Sequence, residues 1–241
     1  MQQYAILTYH QIDLAPPPPA AFRSLYVAPD SFARQMRWLK RLGYRGLSMR
    51  DLMPYLRGEK VGKVVGLTFD DGYCNNLHHA LPVLQDCGFT ATCYVISQLL
   101  GKTNVWDLSN GVKQADLMSP EQIRAWSQAG MEIGAHTQNH CQLTSLPDED
   151  ALREISASKK ELADLIGREV EHFCYPYGLY EARHAAMAQS AGYQSATTTR
   201  RGKVQPGADL FQLHRIPVVR STYLPQFLLK LLTEYENGKD A

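Results

Sequence analysis

A chain of 241 residues with 44% hydrophobic and 20% charged residues is long enough to bury a sizeable core. Its formal charge of +1 and pI near 7.7, without a block of like charges, exclude nucleic acid or an anionic membrane as an electrostatic partner. Five cysteines without a C-x-x-C pair argue against a disulfide framework or a structural zinc cluster, and for a reducing compartment.

Ala5 to Tyr9 reads as a first strand rather than a signal sequence, because the first residues lack a basic segment and a long apolar run. With no apolar stretch of about 18 residues anywhere, the expectation is a soluble, cytoplasmic protein without a membrane span. Leu14 to Ala21 contains Pro16 to Pro19, a stiff extended segment suited to a surface loop. Asp30 to Leu42 has helical spacing, with Phe32, Met36 and Leu39 on one face and Gly43 after it; a short strand and a helix over Ser48 to Arg57 follow. Val64 to Phe69 is a continuous apolar, β-branched run that reads as a buried strand. Asn75 to Asp86 then reads as a helix closed by Gly88, and Phe89 to Ile96 as a strand; this order implies a parallel sheet.

Leu99 to Leu117 lacks clear periodicity and reads as a long loop carrying Trp106 and Asp107, of a length that in compact domains is often functional. It ends at Ser119-Pro120-Glu121-Gln122, where Ser119 and Gln122 form a capping box over a helix closed by Gly130. Met131 to Ala135 is the next strand. Asp148 to Ile166 is an amphipathic helix with Leu152, Ile155, Leu162 and Leu165 as its apolar stripe and its charges as a solvated face. Strands at Glu171 to Tyr175 and Tyr193 to Thr199 flank a helix over Glu181 to Ala191. A strand at Leu213 to Val218 and a helix over Pro225 to Glu236 complete an alternation that fits one barrel-like α/β domain over residues 1–241.

Two segments carry the chemistry. Thr68-Phe69-Asp70-Asp71-Gly72 puts two aspartates where a strand ends, the place where α/β enzymes keep their reacting groups. His136-Thr137-Gln138-Asn139-His140 puts two imidazoles four residues apart, on one face if the backbone turns helically there. Alone, the aspartates would suit a turn that caps a helix. One carboxylate with two histidines makes an open metal site instead.

Taken with Tyr175-Pro176-Tyr177-Gly178, in that order and separation, these segments resemble the polysaccharide deacetylase family, the NodB-homology or carbohydrate esterase family 4 domain, over nearly the whole chain. The resemblance implies a distorted (β/α) barrel and a metal-dependent hydrolase that removes N-acetyl groups from an N-acetylated amino sugar or polysaccharide. It implies Asp70 as general base, Asp71, His136 and His140 as metal ligands, and the backbone N–H of Tyr177 as an oxyanion donor. The chemistry agrees. A divalent cation with open positions lowers the pKa of its water to about 7 and polarises the acetyl carbonyl, and a neighbouring carboxylate accepts the proton. Zinc suits an Asp-His-His site, and cobalt, nickel or iron can fill the same geometry. Pro176, Trp106 and Tyr180 are candidate substrate contacts, the aromatic rings by stacking on a sugar; Trp126 is at core spacing.

Two departures from the family pattern stand out. Members often carry an arginine two residues before the proline of the third motif, orienting the base, where this chain has Cys174; the base must then be oriented by something else. Many members also carry the general acid as a histidine in a Leu-x-His motif near the C-terminus, where this chain has Leu213-His214 with altered spacing. The branch resembling poly-N-acetylglucosamine deacetylases takes it from an N-terminal Tyr-His segment, matched here by Tyr9-His10. His10 is therefore chosen as the acid, with His214 as the alternative. His78, His79, His172 and His184 read as surface or core histidines without partners. Two other readings remain: a small-molecule amidohydrolase of the same superfamily, and a non-catalytic carbohydrate-binding domain, against which the retained Asp70 speaks.

Overall fold

The molecule is described by a computed structural model over residues 2–239. Its strands are β1 (Ile6–Tyr9), β2 (Gln11–Ile12), β3 (Tyr26–Val27), β4 (Arg45–Leu47), β5 (Val64–Phe69), β6 (Thr92–Val95), β7 (Glu132–Ala135), β8 (His172–Cys174), β9 (Ser195–Arg201) and β10 (Leu213–Pro217). The helices are α1 (Pro29–Arg41), α2 (Met49–Leu56), α3 (Leu81–Cys87), α4 (Pro120–Gln128), α5 (Asp148–Ile166), α6 (Ala182–Ser190) and α7 (Leu224–Leu232). Seven parallel strands, in the order β5-β6-β7-β8-β9-β10-β1, close into a barrel through the β1–β5 pairing, with Ile6 opposite Gly66 and Tyr9 opposite Phe69. β4 lies beside the first half of β5, and β2 pairs with β3 outside the barrel.

Strand alternation sorts the side chains. Leu7, Tyr9, Leu67, Phe69, Ile133 and Phe173 pack outward with Phe32, Trp126 and Ile155 of the helices in the larger apolar core. The intervening residues face the barrel axis, where Tyr94 packs in a second cluster with Ile6, Cys174 and Leu213. Room for its ring comes from Gly134, since a Cβ there would lie 2.5 Å from Tyr94. At the strands' C-terminal ends this inward set becomes polar: Thr8, Thr68, Asp70, His136 and Arg215.

The elements follow the sequence with local differences. Ser119 and Gln122 form the capping box at α4, and Gly88 and Gly167 end α3 and α5 in the left-handed conformation. The helix after the first motif opens with a π-helical turn, Asn76–Ala80, before α3. On α5 the buried stripe is Ala151, Ile155, Ser158 and Leu162, whereas Leu152 is 40% exposed, because the helix is rotated toward the small residues that let it approach the sheet. The last helix stops at Leu232, and the chain beyond it folds back so that Glu236 is buried against Lys230. No helix among the described residues is long and apolar enough to cross a membrane.

Candidate active site

The C-terminal end of the barrel opens as a pocket of about 510 Å³, walled by His10, Asp70, Asp71, His136, His140 and Arg215, with Phe22, Trp106, Asp107 and Tyr177 among its rim residues. Alternation alone would send Asp71 outward, away from Asp70. Asp71 instead takes a left-handed backbone (φ 71), followed by Gly72 (φ 74), which brings both consecutive carboxylates into one pocket. Five non-glycine described residues have positive φ: Phe22, Asp71, Thr137, His140 and Tyr177. Four line the pocket and the fifth, Thr137, belongs to the histidine loop, so the chain's strained backbone is concentrated at this site.

The histidine segment does not turn helically. Thr137 (φ 64) and His140 (φ 57) bend it into a loop that presents both rings to Asp71, whose Oδ1 lies 3.5 Å from His136 Nε2 and 3.4 Å from His140 Nε2. Helix α5 holds that loop. Glu154 accepts from the backbone N–H groups of Gln138 and Asn139 at 2.8 and 3.0 Å and from the Asn139 side chain at 2.6 Å. Glu161, two turns further on, accepts from Ser97, Gln98 and Gln138 at 2.5 to 2.7 Å. These two carboxylates belong to the face read from the sequence as solvated.

Asp71, His136 and His140 offer ligand atoms within 4.8 Å of one another, as do Asp70, His136 and Cys174. The surroundings distinguish the two sets. Arg215 grips Asp70 with two bonds of 2.7 Å and approaches Cys174 Sγ at 3.3 Å, so a cation between Asp70 and Cys174 would meet a guanidinium. The Asp71 set has no such cation against it. There, His136 Nδ1 sits 2.7 Å from the Cys174 carbonyl, which makes Nδ1 the donor and turns Nε2 toward Asp71. His140 lies between Trp106, tilted against it at 4.4 Å, and Tyr177, which meets it edge-on at 4.6 Å. A carboxylate and two imidazoles, buried and open to a pocket on one side, are a donor set that fits a tetrahedral cation with a free position.

The electrostatics divide the labour. Burial alone would push the Asp70 carboxyl up, but the charge and hydrogen bonds of Arg215 outweigh it and hold the pKa below the ordinary carboxylate value. Asp71 is held lower still, burial being overcome by its two histidines, while burial lowers His140 and favours its neutral ring. At Asp107 burial wins, and the charge of Asp71 adds to it, so its carboxyl is raised. Burial and these two aspartates also push the Tyr177 phenol up to about 12.

The other expected positions scatter. His10 lines the pocket, with Nε2 4.0 Å from Asp70 Oδ2 and 27% of its side chain exposed. His214 lies on the other face of β10 from Arg215 and lines a separate cavity with Lys203 and Gln212. Trp106 and Tyr177 stand at the mouth. Pro176 is buried, and Tyr180 stacks on Tyr175 at 4.6 Å with Arg200 over its other side. Cys174 is buried, yet it touches Asp70, its Sγ 3.8 Å from Asp70 Oδ2. Two expected lone histidines have partners: His172 with Ser195 at 2.8 Å, and His184 with the Glu181 N–H at 2.9 Å. Arg215, Glu154 and Glu161 were missed by reading motifs. The signal for Arg215 was a single arginine within the strand Leu213-His214-Arg215-Ile216, whose facing only the structure gives.

Comparison with known proteins converges on one family. The polysaccharide deacetylase family model matches residues 57–196. YxkH of Bacillus subtilis (strain 168), described as a polysaccharide deacetylase, is 30% identical over 215 residues, 88% of this chain and 70% of that protein. The poly-beta-1,6-N-acetyl-D-glucosamine N-deacetylase of Staphylococcus aureus is 22% identical over 200 residues, covering 79% of this chain and 67% of the other. Among solved structures, the Streptococcus pyogenes deacetylase PplD in complex with acetate superposes with a TM-score of 0.83 at 27% identity, covering 95% of this chain and 98% of that one.

Proposed function

Because the chain belongs to the polysaccharide deacetylase family, we propose that it is a metal-dependent N-deacetylase, hydrolysing the acetamide of an N-acetylated amino sugar. The observation that carries this reading is the division of two adjacent aspartates. Asp70 is engaged by Arg215, whereas Asp71 faces two histidine nitrogens across a space of ligand size. Asp71, His136 and His140 hold the ion, for which zinc is the best match to one carboxylate and two imidazoles. When bound, the ion supplies Lewis acidity, polarising the acetyl carbonyl and acidifying water.

Asp70, kept ionised by Arg215, accepts the proton released as water adds to the acetyl carbon. The backbone N–H of Tyr177 steadies the charge that develops on the carbonyl oxygen, a contribution of about 3 kcal/mol when the donor is preorganised. His10 donates a proton to the departing nitrogen; the C–N bond breaks, leaving acetate and a free amine. His10 is preferred to His214 because it shares the pocket with Asp70. Trp106 is the favoured sugar-stacking surface, being at the mouth, while Tyr180 and Pro176 lie behind it. The named substrate of the Staphylococcus aureus relative makes N-acetylglucosamine oligomers the first to test. Zinc-loaded protein is expected to release acetate from them, with loss on chelation and recovery on adding zinc. Absence of acetate from zinc-loaded, folded protein on free, lipid-linked and polymeric N-acetylhexosamines would overturn the reading.

A further inference from the structure

We propose that Asn76 is a positioning residue for His10, fixing the backbone from which the imidazole hangs beside Asp70; this rests on His10 being the acid. β1 leaves the barrel ladder at Tyr9, whose carbonyl accepts the Asp70 N–H at 2.9 Å. His10 comes next, and the following residues, Gln11 and Ile12, pair with β3 outside the barrel. Past the ladder's end, Asn76 takes over the hold. Its Nδ2 donates to the His10 carbonyl at 2.8 Å, and its Oδ1 accepts the Ile12 N–H at 3.2 Å, so one amide brackets the His10 segment from both sides. Asn75 reinforces the grip, with Oδ1 3.2 Å from the same Ile12 N–H and Nδ2 donating to Gln11 Oε1 at 3.0 Å.

Asn76 is fully buried and stands at the start of the π-helical turn that follows the Asp70-Asp71-Gly72 corner. A π turn carries an extra residue and re-aims the side chains around it; here Asn76 reaches back to β1. The base, a metal ligand and the hold on the acid therefore come from one seven-residue stretch, Asp70 to Asn76. Loss of the hold would let the His10 ring leave the leaving nitrogen, and small misplacements of a proton donor weaken catalysis steeply.

The experiment compares two acyl substrates that differ in their need for an acid: an N-acetylglucosamine oligomer, whose amine must be protonated to leave, and 4-nitrophenyl acetate, whose phenolate leaves unassisted. Asn76→Ala, and Asn76→Asp as a same-sized variant that keeps the Ile12 acceptor but loses the donor to His10, are expected to lose about tenfold or more on the amide and less than about threefold on the ester, a split that general-acid loss produces. Zinc affinity is expected to hold, and adding His10→Ala to either variant is expected to cost nothing more on the amide than His10→Ala alone. Equal losses on both substrates, or losses that multiply with His10→Ala, would overturn the positioning role while leaving the acid role standing. If His10→Ala itself shows no amide–ester split, the acid role fails, and this inference with it.

Discussion

The two ends of the barrel each carry a buried cluster of carboxylate, imidazole and other polar groups, and the one at the C-terminal end lines a pocket. At the N-terminal ends of the strands sit Thr92, Glu132, His172 and Ser195, each 5% exposed or less; at the C-terminal ends sit Asp70, Asp71, His136 and His140, within the same limit. Burial, carboxylates and imidazoles therefore do not distinguish them. Partners do. Glu132 accepts from Thr92 at 2.5 Å and from the Arg50 N–H at 3.0 Å, while Thr92 Oγ1 accepts the Met49 N–H at 2.7 Å, so this cluster caps the N-terminus of α2. His172 Nδ1 is bonded to Ser195, and its Nε2 stands 3.6 Å from Glu132. At the other end, the carboxylate and imidazole atoms converge on a space among themselves, under an opening. A serine–histidine–glutamate series inside the fold is thus scaffold, and the chemistry is assigned to the end where polar atoms face a cavity.

The largest expected effect tests that assignment directly. Asp70→Asn should cut turnover of an N-acetylglucosamine oligomer by about 10²–10⁴-fold in folded protein with zinc content little changed, while lowering the melting temperature because Arg215 loses its buried counter-charge; Glu132→Gln should also lower the melting temperature but leave turnover of the folded protein within about twofold. A folded, zinc-replete Glu132→Gln protein without activity would break the contrast.

Next comes acid stability. Burial lowers the His172 pKa to about 3, so the unfolded chain takes up a proton below about pH 6.5 that the folded protein refuses until about pH 3. Its contribution is complete above pH 6.5 and is lost as pH falls across that window, to an upper bound of about 5 kcal/mol. His172→Gln should flatten that part of the stability–pH curve, measured by urea unfolding; an unchanged slope would show that other groups carry it.

Arg215→Met removes a buried cation and leaves Asp70 ionised without its partner, a loss of about 3–5 kcal/mol. Burial would then raise the Asp70 pKa, so the acid limb of kcat/KM should move to higher pH. A limb that stays where it was would mean that something else holds the base. The smallest effect is expected at Glu154, outside the pocket. Glu154→Gln should weaken zinc binding by about 10-fold, the lower range for residues that support a metal ligand, as read by competition with a chelator. Unchanged affinity would show that the strained histidine loop needs no help from α5.

Strands and helices were legible because each has one apolar face, and the period of that face survives in the sequence: Val64 to Phe69, Asp148 to Ile166 and the box at Ser119 and Gln122 need only local physics. The two motifs were legible because the proposed metal site and base call for fixed residue types at fixed spacing. The replacement for the arginine expected at Cys174 was not. Asp70 and Arg215 are 145 positions apart and meet only because β10 returns beside β1, two strands from Asp70. Resemblance to one branch of the family favoured His10 over His214, but the local sequence did not, since each stands at the end of or within a strand with no sign of which way it faces. The register of β10 turns Arg215 inward and His214 out.

The chain's sequence by itself determined the parallel α/β alternation, a consequence of periodicity, and set Asp70-Asp71 and His136-x-x-x-His140 out as motifs, through which it resembles one family. Only the closed barrel decided which carboxylate is gripped and which is left to face the histidines, which glutamates of α5 hold the loop, and which polar cluster lies under a pocket. Those outcomes depend on strand register and on five described non-glycine residues bent to positive φ, and such long-range choices are made by packing, which no local window of sequence contains.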